Sequence, residues 1–217
     1  MRESIALAAR AACRDPAAIT LIGVAKSQPA DRIRAALDAG LEDLGENYVQ
    51  EAAEHAVLLA GHAVRRHFIG ALQSNKTRPV AESFDWVHTV DRMKIAERLS
   101  EQRPAQLAPL AVCIQVRLGD EPAKSGVSPS ALPALAAALA GLPRLVLRGL
   151  MALPPAVTDA ARQRHWFREL RLLLEQLNAS GHRLDALSMG MSNDFGAAIA
   201  EGATHVRIGT ALFGARA

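Results

Sequence analysis

Four lysines stand against twenty-one arginines in these 217 residues. One of them, Lys26, closes the apolar run Leu21, Ile22, Gly23, Val24, Ala25. An amine at the mouth of an apolar enclosure loses hydration, and desolvation depresses its pKa toward neutrality. A partly neutral amine is what imine formation with an aldehyde requires. A lysine that snorkels from a strand end into solvent is the plainer alternative. Two later stretches are rich in small and hydroxyl residues. Residues 188–202, SMGMSNDFGAAIAEG, read as strand, turn and a helix capped by Ser192, with Asp194 in its first turn. Residues 205–216, HVRIGTALFGAR, read as a strand and then a Gly209–Thr210 step that opens a short final helix. Free backbone N–H groups at such helix starts face anions, phosphate above all. Ordinary helix capping explains either turn alone. Arg207 lies two residues before Gly209 and shares its strand face. A guanidinium beneath a pyridine nitrogen would keep that nitrogen unprotonated; a salt bridge to Glu201 or Asp194 is the competing role.

These groups act together only if the fold gathers them. Short apolar runs at 19–26, 43–47, 67–71, 86–90, 110–118, 145–153, 184–189 and 205–209 read as strands. Helical spacing occupies 30–39, 48–60, 92–101, 129–140, 159–179 and 192–200. Gly40, Gly61 and Gly141 follow three of these helices as C′ glycines would. Trp166, Leu170, Leu173, Leu174 and Leu177 form one stripe, as on a helix covering a sheet. The strands look apolar on both faces, which suits a parallel sheet buried by helices. Strict alternation leaves an open doubly wound sheet or a closed (β/α)8 barrel. Polar residues at strand ends in both halves favour the barrel, because an open sheet would gather them at one switch point. The expectation is a single domain over residues 1–217.

In a barrel, chemistry sits at the C-terminal strand ends. Those ends deliver Lys26 from the first strand, Glu46 and Asn47 from the second, and Gly70 with Gln73, Asn75 and Lys76 after the third. The fourth brings His88 and Asp91, the sixth Met151, the seventh Ser188 to Ser192, and the eighth Arg207, Gly209 and Thr210. Closure makes the first and eighth strands neighbours. An imine-forming lysine then adjoins a phosphate-binding turn, and pyridoxal 5′-phosphate is an aldehyde that carries a phosphate.

Other classes are disfavoured. Half the residues are hydrophobic and 22% are charged, so the chain can bury a core. A net charge of +3 without a Lys/Arg run argues against a nucleic-acid arm. Cys13 and Cys113 lack CxxC or histidine spacing, so neither a disulfide framework nor a structural zinc site is expected. The seven histidines include no helical i, i+4 pair with a carboxylate, so no metal site is expected either. The N-terminal stretch has helical spacing without a signal-peptide core, and no run reaches the roughly eighteen apolar residues of a membrane span. The expectation is a soluble, cytoplasmic protein that binds neither nucleic acid nor membrane. His67 and His88 are expected to pack at strand ends, Trp86 and Trp166 to fill core, Cys113 to sit buried, and Tyr48 to pack where it opens the second helix.

The chain resembles the pyridoxal 5′-phosphate homeostasis protein family (the YggS/PROSC type), whose barrel is that of the alanine racemase N-terminal domain. The resemblance lies in VAKSQP (24–29), GENYVQEA (45–52), HFIGALQSNK (67–76), WVHTVDRMKIAERL (86–99), RGLMALP (148–154), LSMGMSNDFGAAIAEG (187–202) and VRIGTALFG (206–214). It implies bound pyridoxal 5′-phosphate as an internal aldimine on Lys26. It places Ser192, Gly209 and Thr210 at the phosphate with Ser188 close by, Arg207 at the pyridine nitrogen, and Asn47 and Met151 in the ring pocket. Departures are a shortened N-terminal helix, Arg117 where the family has a small polar residue, and a chain stopping three residues after Gly214.

The family's role is to hold the cofactor for intracellular vitamin B6 homeostasis, with no catalytic residue, no metal and no dedicated reaction. Apo-enzymes dependent on pyridoxal phosphate are the expected recipients, and the protein is expected to be a monomer. The alternative is an amino-acid racemase with Lys26 as one base. Two-base racemisation needs a second proton carrier, which alanine racemases take from a tyrosine of a further domain that this chain length leaves no room for. An aldolase with a Lys26 Schiff base would need acids and a second lysine near the axis, whereas Lys76 and Lys124 fall in loops and Asp91 stands alone.

Overall fold

The structure, a computed structural model, describes residues 1–119 and 125–214. Its strands are β1 (Thr20–Val24), β2 (Asp43–Glu46), β3 (Arg65–Phe68), β4 (Trp86–Val90), β5 (Leu110–Val116), β6 (Leu145–Ala152), β7 (Ala186–Ser188) and β8 (His205–Ile208). Each pairs in parallel with the next, and β8 returns to β1 from Thr20↔His205 to Gly23↔Ile208, closing an eight-stranded barrel. The helices are α1 (Arg2–Ala11), α2 (Ala30–Asp38), α3 (Val49–His55), α4 (Thr77–Ser83), α5 (Met93–Gln102), α6 (Leu132–Ala140), α7 (Ala160–Ala179), α8 (Phe195–Ala200) and α9 (Thr210–Phe213).

Alternation along each strand divides the barrel into two environments. The outward set, including Phe68, Val87, Val112, Ile114, Leu150, Val206 and Ile208, is fully buried under the helices. Helix residues such as Ile95, Leu99, Leu139, Phe167 and Leu170 cover it. The inward set is not apolar throughout: Asp43, His67, His88, Ser188, His205 and Arg207 are all buried there. A smaller cluster of Trp86, Ala111, Cys113, Met151 and Ala186 fills the remaining interior. The expectation of strands apolar on both faces is therefore corrected: only the outer face is.

Local differences have local causes. The stretch read as one helix over 48–60 ends at His55 and continues as a 3-10 turn, Ala56–Leu59. Helix α4 carries little sequence signal, because Pro79 interrupts a short segment, although proline is tolerated in a first turn. Gly40 and Gly61 adopt φ +85, as C′ glycines do, whereas Gly141 has φ −85 and needs no glycine freedom. On α7 the fully buried aromatic is Phe167; Trp166 and Leu173 flank the stripe, partly buried. Asp159 caps α7 by accepting from the Arg162 N–H at 2.8 Å. Ser192 does not cap α8, whose N-cap is Asp194. Helix α1 borders the N-terminal mouth, where Arg2 and Ile5 line a cleft with Glu42, Asp43 and Arg65. Among the described residues, no helix is long and apolar enough to cross a membrane.

Gly149 of β6 pairs with Ala186 of β7, and a Cβ there would lie 1.8 Å from the Ala186 carbonyl oxygen. Both atoms belong to backbone, so neither can rotate away. Gly149→Ala is expected to destabilise the protein by about 2–4 kcal/mol. Urea unfolding checks this, and an unchanged midpoint would contradict the close approach.

Candidate functional site

The C-terminal ends of β1, β2, β3 and β8 open on a cleft of about 680 Å³. Its lining includes Lys26, Asn47, Ser192, Asp194, Arg207, Gly209 and Thr210. With the loops after β6 and β7, residues from six strand ends converge on one mouth, and six of the eight residues proposed from sequence meet there.

Lys26 follows β1 in a turn in which the Gln28 N–H donates to the Ala25 carbonyl at 2.9 Å. Ser27, at φ +52, anchors the turn by donating its N–H to Glu51 Oε2 at 3.1 Å. The half-buried Lys26 places Nζ 5.1 Å from the centre of the Tyr48 ring, with no ion pair to a carboxylate among the described residues. Tyr48 is 47% exposed, so it covers the lysine instead of packing into the core, which corrects the sequence expectation. Asn47 follows β2 with its carbonyl 2.0 Å from where a Cβ on Gly70 would lie; only glycine allows that approach. The Asn47 Oδ1 is buried without a partner among the described residues.

Arg207 points into the barrel from β8 and is 4% exposed. It donates to Ser188 Oγ at 2.7 Å and to the Ala152 carbonyl at 3.0 Å. Burial brings its pKa down to about 10. It does not pair with Glu201, which accepts from Arg164, Arg168 and Arg171 on α7. Asp194 is the acid that acts on it electrostatically. Burial raises the Asp194 carboxyl, opposed by the Met191 N–H, which donates at 2.6 Å, and by the charge of Arg207. Ser192 ties the loop after β7 to the turn after β8, its Oγ accepting from the Ala211 N–H at 3.3 Å.

Ser188 and Met151 stand apart from the other six. Both are fully buried, neither lines the cleft, and they sit one layer below it on adjacent strands. Ser188 reaches the site through Arg207. Gln73 and Lys76 line a neighbouring cleft of about 350 Å³ with Tyr48 and Gly70, and Asp91 pairs with Arg92. Lys124 lies outside the described residues.

Sequence reasoning missed two features. The outer wall of the cleft comes from Pro154, Ala156, Val157 and Thr158 after β6 and from Gln163 of α7, where the paired prolines were the available signal. The second is the barrel interior. His67, His88 and His205 do not cap strand ends; their rings pack on one another and on Trp86, with centroids 4.9 to 6.3 Å apart. His67 Nε2 lies 2.9 Å from Asp43 Oδ1, its Nδ1 lies 2.9 Å from His88 Nε2, and His88 Nδ1 lies 2.8 Å from Ser188 Oγ. Strand alternation put these residues on one face, but no local spacing joins positions 43, 67, 88 and 188.

A profile for the alanine racemase N-terminal domain matches residues 8–217. The chain is 59% identical over 209 residues to the pyridoxal phosphate homeostasis protein of Pseudomonas aeruginosa, spanning 96% of this chain and 90% of that one. The solved structure of PipY from Synechococcus elongatus with PLP bound superposes with a TM-score of 0.86 at 39% identity, covering 97% of this chain and all of PipY. Alanine racemase from Corynebacterium glutamicum shares the fold, with a TM-score of 0.72 at 16% identity, covering 99% of this chain and 60% of that one.

Burial holds His205 down at about 3 and His88 well below 6.5. The unfolded chain therefore takes up protons below about pH 6.5 that the folded chain refuses, and stability falls with falling pH from there toward pH 3. The slope is up to about 1.4 kcal/mol per pH unit for each histidine. Burial alone would raise the Asp43 carboxyl, but hydrogen bonds and charge from Arg65 and His67 bring it from 3.8 to about 2. Its contribution is present above about pH 4 and is lost between there and pH 2. Urea midpoints at pH 7 and pH 5 check the histidine window: His205→Gln should flatten the decline, and a wild-type midpoint unchanged over that interval would contradict neutral burial.

Proposed function

The chain belongs to the pyridoxal phosphate homeostasis proteins of the alanine racemase N-terminal domain family, and from that premise we propose that it binds pyridoxal 5′-phosphate as an aldimine on Lys26 and holds it for other proteins without a dedicated reaction of its own. The carrying observation is the cleft that assembles one lysine amine, one unpartnered amide oxygen and one buried guanidinium. An aldehyde, an unprotonated pyridine nitrogen and a phosphate, all acceptors, complement the amine and the guanidinium, while the amide oxygen is left to accept from a hydroxyl. The similar PipY, with PLP bound in its solved structure, supports the same ligand.

Each residue then has a task. Lys26 supplies the nucleophilic nitrogen, and the Tyr48 ring limits water on one side of it. Ser192, Gly209 and Thr210 offer hydroxyl and backbone N–H groups where two loops meet, which suits a phosphate. Arg207 would donate to the pyridine nitrogen and so keep it unprotonated. Asn47 would hold the ring from the cleft wall, with its open acceptor available to a ring hydroxyl. Ser188 and Met151 act from below, the first by orienting Arg207 and the second by filling the floor. When bound, the cofactor supplies an electrophilic aldehyde and a conjugated ring.

One point favours holding over turnover: the described lining of the cleft contains no histidine, and its carboxyl, Asp194, is engaged by the Met191 N–H. A guanidinium at the ring nitrogen makes the ring a poorer electron sink, but the racemases share that feature, so it does not separate the two readings. The second reading, an amino-acid racemase, draws on Tyr48, whose ring lies beside Lys26. On the first reading the protein is a single-domain, cytoplasmic monomer whose recipients are apo-enzymes dependent on the cofactor.

Protein incubated with pyridoxal 5′-phosphate should turn yellow, retain the colour through gel filtration and lose it to hydroxylamine. Lys26→Ala should abolish the band; a variant that keeps it unchanged would refute the lysine assignment. D-alanine formation from L-alanine should stay far below an enzyme-like rate of about 1 per second, and turnover at that rate would establish the racemase instead.

A further inference from the structure

Arg207 is one end of a hydrogen-bonded relay that crosses the barrel to Asp43 at the opposite mouth. Asp43 lines a second cleft of about 400 Å³ there with Glu42, Arg65 and Arg2. The links are Arg207 to Ser188 at 2.7 Å, Ser188 to His88 at 2.8 Å, His88 to His67 at 2.9 Å and His67 to Asp43 at 2.9 Å. His67, His88, Ser188 and Arg207 are each 4% exposed or less.

With both relay histidines neutral, the two ends dictate the direction of every proton between them. A guanidinium can only donate and an ionised carboxylate can only accept. Ser188 Oγ accepts from Arg207, so its own hydrogen is available to His88 Nδ1. His88 then carries its proton on Nε2 and donates to His67 Nδ1, and His67 donates its Nε2–H to Asp43. A second proton on His67, at Nδ1, would reverse the middle links and send an N–H of His88 to the second lone pair of Ser188 Oγ, so the one-way order is that of neutral histidines. All dipoles in the relay therefore point one way, from buried cation to buried anion, and hydrogen bonds aligned in this manner polarise one another.

We propose that Asp43, His67, His88 and Ser188 are positioning residues that set the orientation and donor strength of Arg207, so that the charge at Asp43 tunes the group bound beside Arg207 from the far mouth of the barrel. The proposal rests on the reading of the cleft given above. It uses residues outside the cleft wall and adds a second solvent-facing control point. Other charged or titratable groups face the relay. Arg65 holds Asp43 through two hydrogen bonds, at 2.7 and 2.8 Å, and also pairs with Glu42. His205 packs on both relay histidines, with Nδ1 2.8 Å from Thr204 Oγ1. Arg148 stacks over Trp86 and pairs with Asp185. Asp194 and Cys113 act on Arg207. Of these, Arg65 alone touches the carboxylate, so the free charge at that mouth is controlled by whatever engages Arg65.

The experiment has an apo and a loaded arm. In the apo protein, ¹⁵N spectra of labelled histidines should show His67 and His88 protonated on Nε2 and bare at Nδ1; an Nδ1–H on His88 would overturn the relay. In protein loaded with pyridoxal 5′-phosphate, the pH midpoint of the visible band should fall on Asp43→Asn by ~0.5 pH unit, a threefold change in proton affinity. Ser188→Ala, which interrupts the relay without changing charge, should move it in the same direction and should shrink the further effect of Asp43→Asn by at least half. Asp185→Asn removes a carboxylate off the relay and should leave the midpoint in place. Equal effects of Asp43→Asn in both backgrounds, or an equal effect of Asp185→Asn, would reduce the relay to a through-space charge and overturn the proposal. Should Asp43→Asn fail to fold, Ser188→Ala alone decides, and an unmoved midpoint refutes the coupling. Absence of any band with added cofactor overturns the reading of the cleft and the tuning with it, whereas a band indifferent to Asp43 overturns only the tuning.

Discussion

A guanidinium stripped of nearly all its water must be given acceptors, or the fold loses several kcal/mol. Arg207 is that group here, and much of the barrel's interior answers it. The Ala152 carbonyl at the end of β6 and the Ser188 hydroxyl at the end of β7 take two of its N–H groups. Asp194 on the following loop supplies a nearby negative charge. Satisfying Ser188 in turn draws in His88 and His67 and ends at Asp43, where an ion pair with Arg65 brings the network back to water. Removing one member leaves its neighbours buried and unpaired, which costs more than the lost bond alone.

That polar interior is tolerable because cohesion comes from elsewhere. The outer faces of the strands and the inner faces of the helices supply the large buried aliphatic side chains, among them Ile95, Leu99, Leu110, Ile114 and Leu139. This sleeve makes the barrel, and the interior it encloses is free to specialise. The division also explains why the site sits at one mouth. The same closure that joins β8 to β1 brings Lys26 beside Gly209 and Thr210, although more than 180 residues separate them in sequence.

The elements that could be read in advance were those with a local cause. Lys26 after an apolar run, Arg207 two residues before Gly209, and the eight strand centres all follow from spacing within a few residues. Tyr48 was misread because its helix-opening position suggested packing, while its actual neighbour, Lys26, comes from a different strand. Ser192 has a side chain suited to a cap, yet Asp194 takes the N-cap of α8 and Ser192 binds across to Ala211. Nothing within the segments of His67 and His88 marks the interior of a barrel as polar, so their place in it is not legible from spacing.

Sequence alone determined the alternation of strand and helix, the parallel barrel it closes into, and the placing of one lysine at the end of the first strand and of small, hydroxyl-bearing turns in the last two units. These depend on hydrophobic period, turn residues and side-chain chemistry, which act over short stretches. Tertiary structure decided that Ser188 and Met151 lie beneath the cleft and not in its wall, and that Asp43 is wired to Arg207. It also decided that Arg207 rests on a hydroxyl and a carbonyl, with no ion pair of its own to Glu201. Those outcomes turn on which inward-facing side chains share a level after the strands have been staggered into a closed cylinder, a relation that no linear spacing encodes.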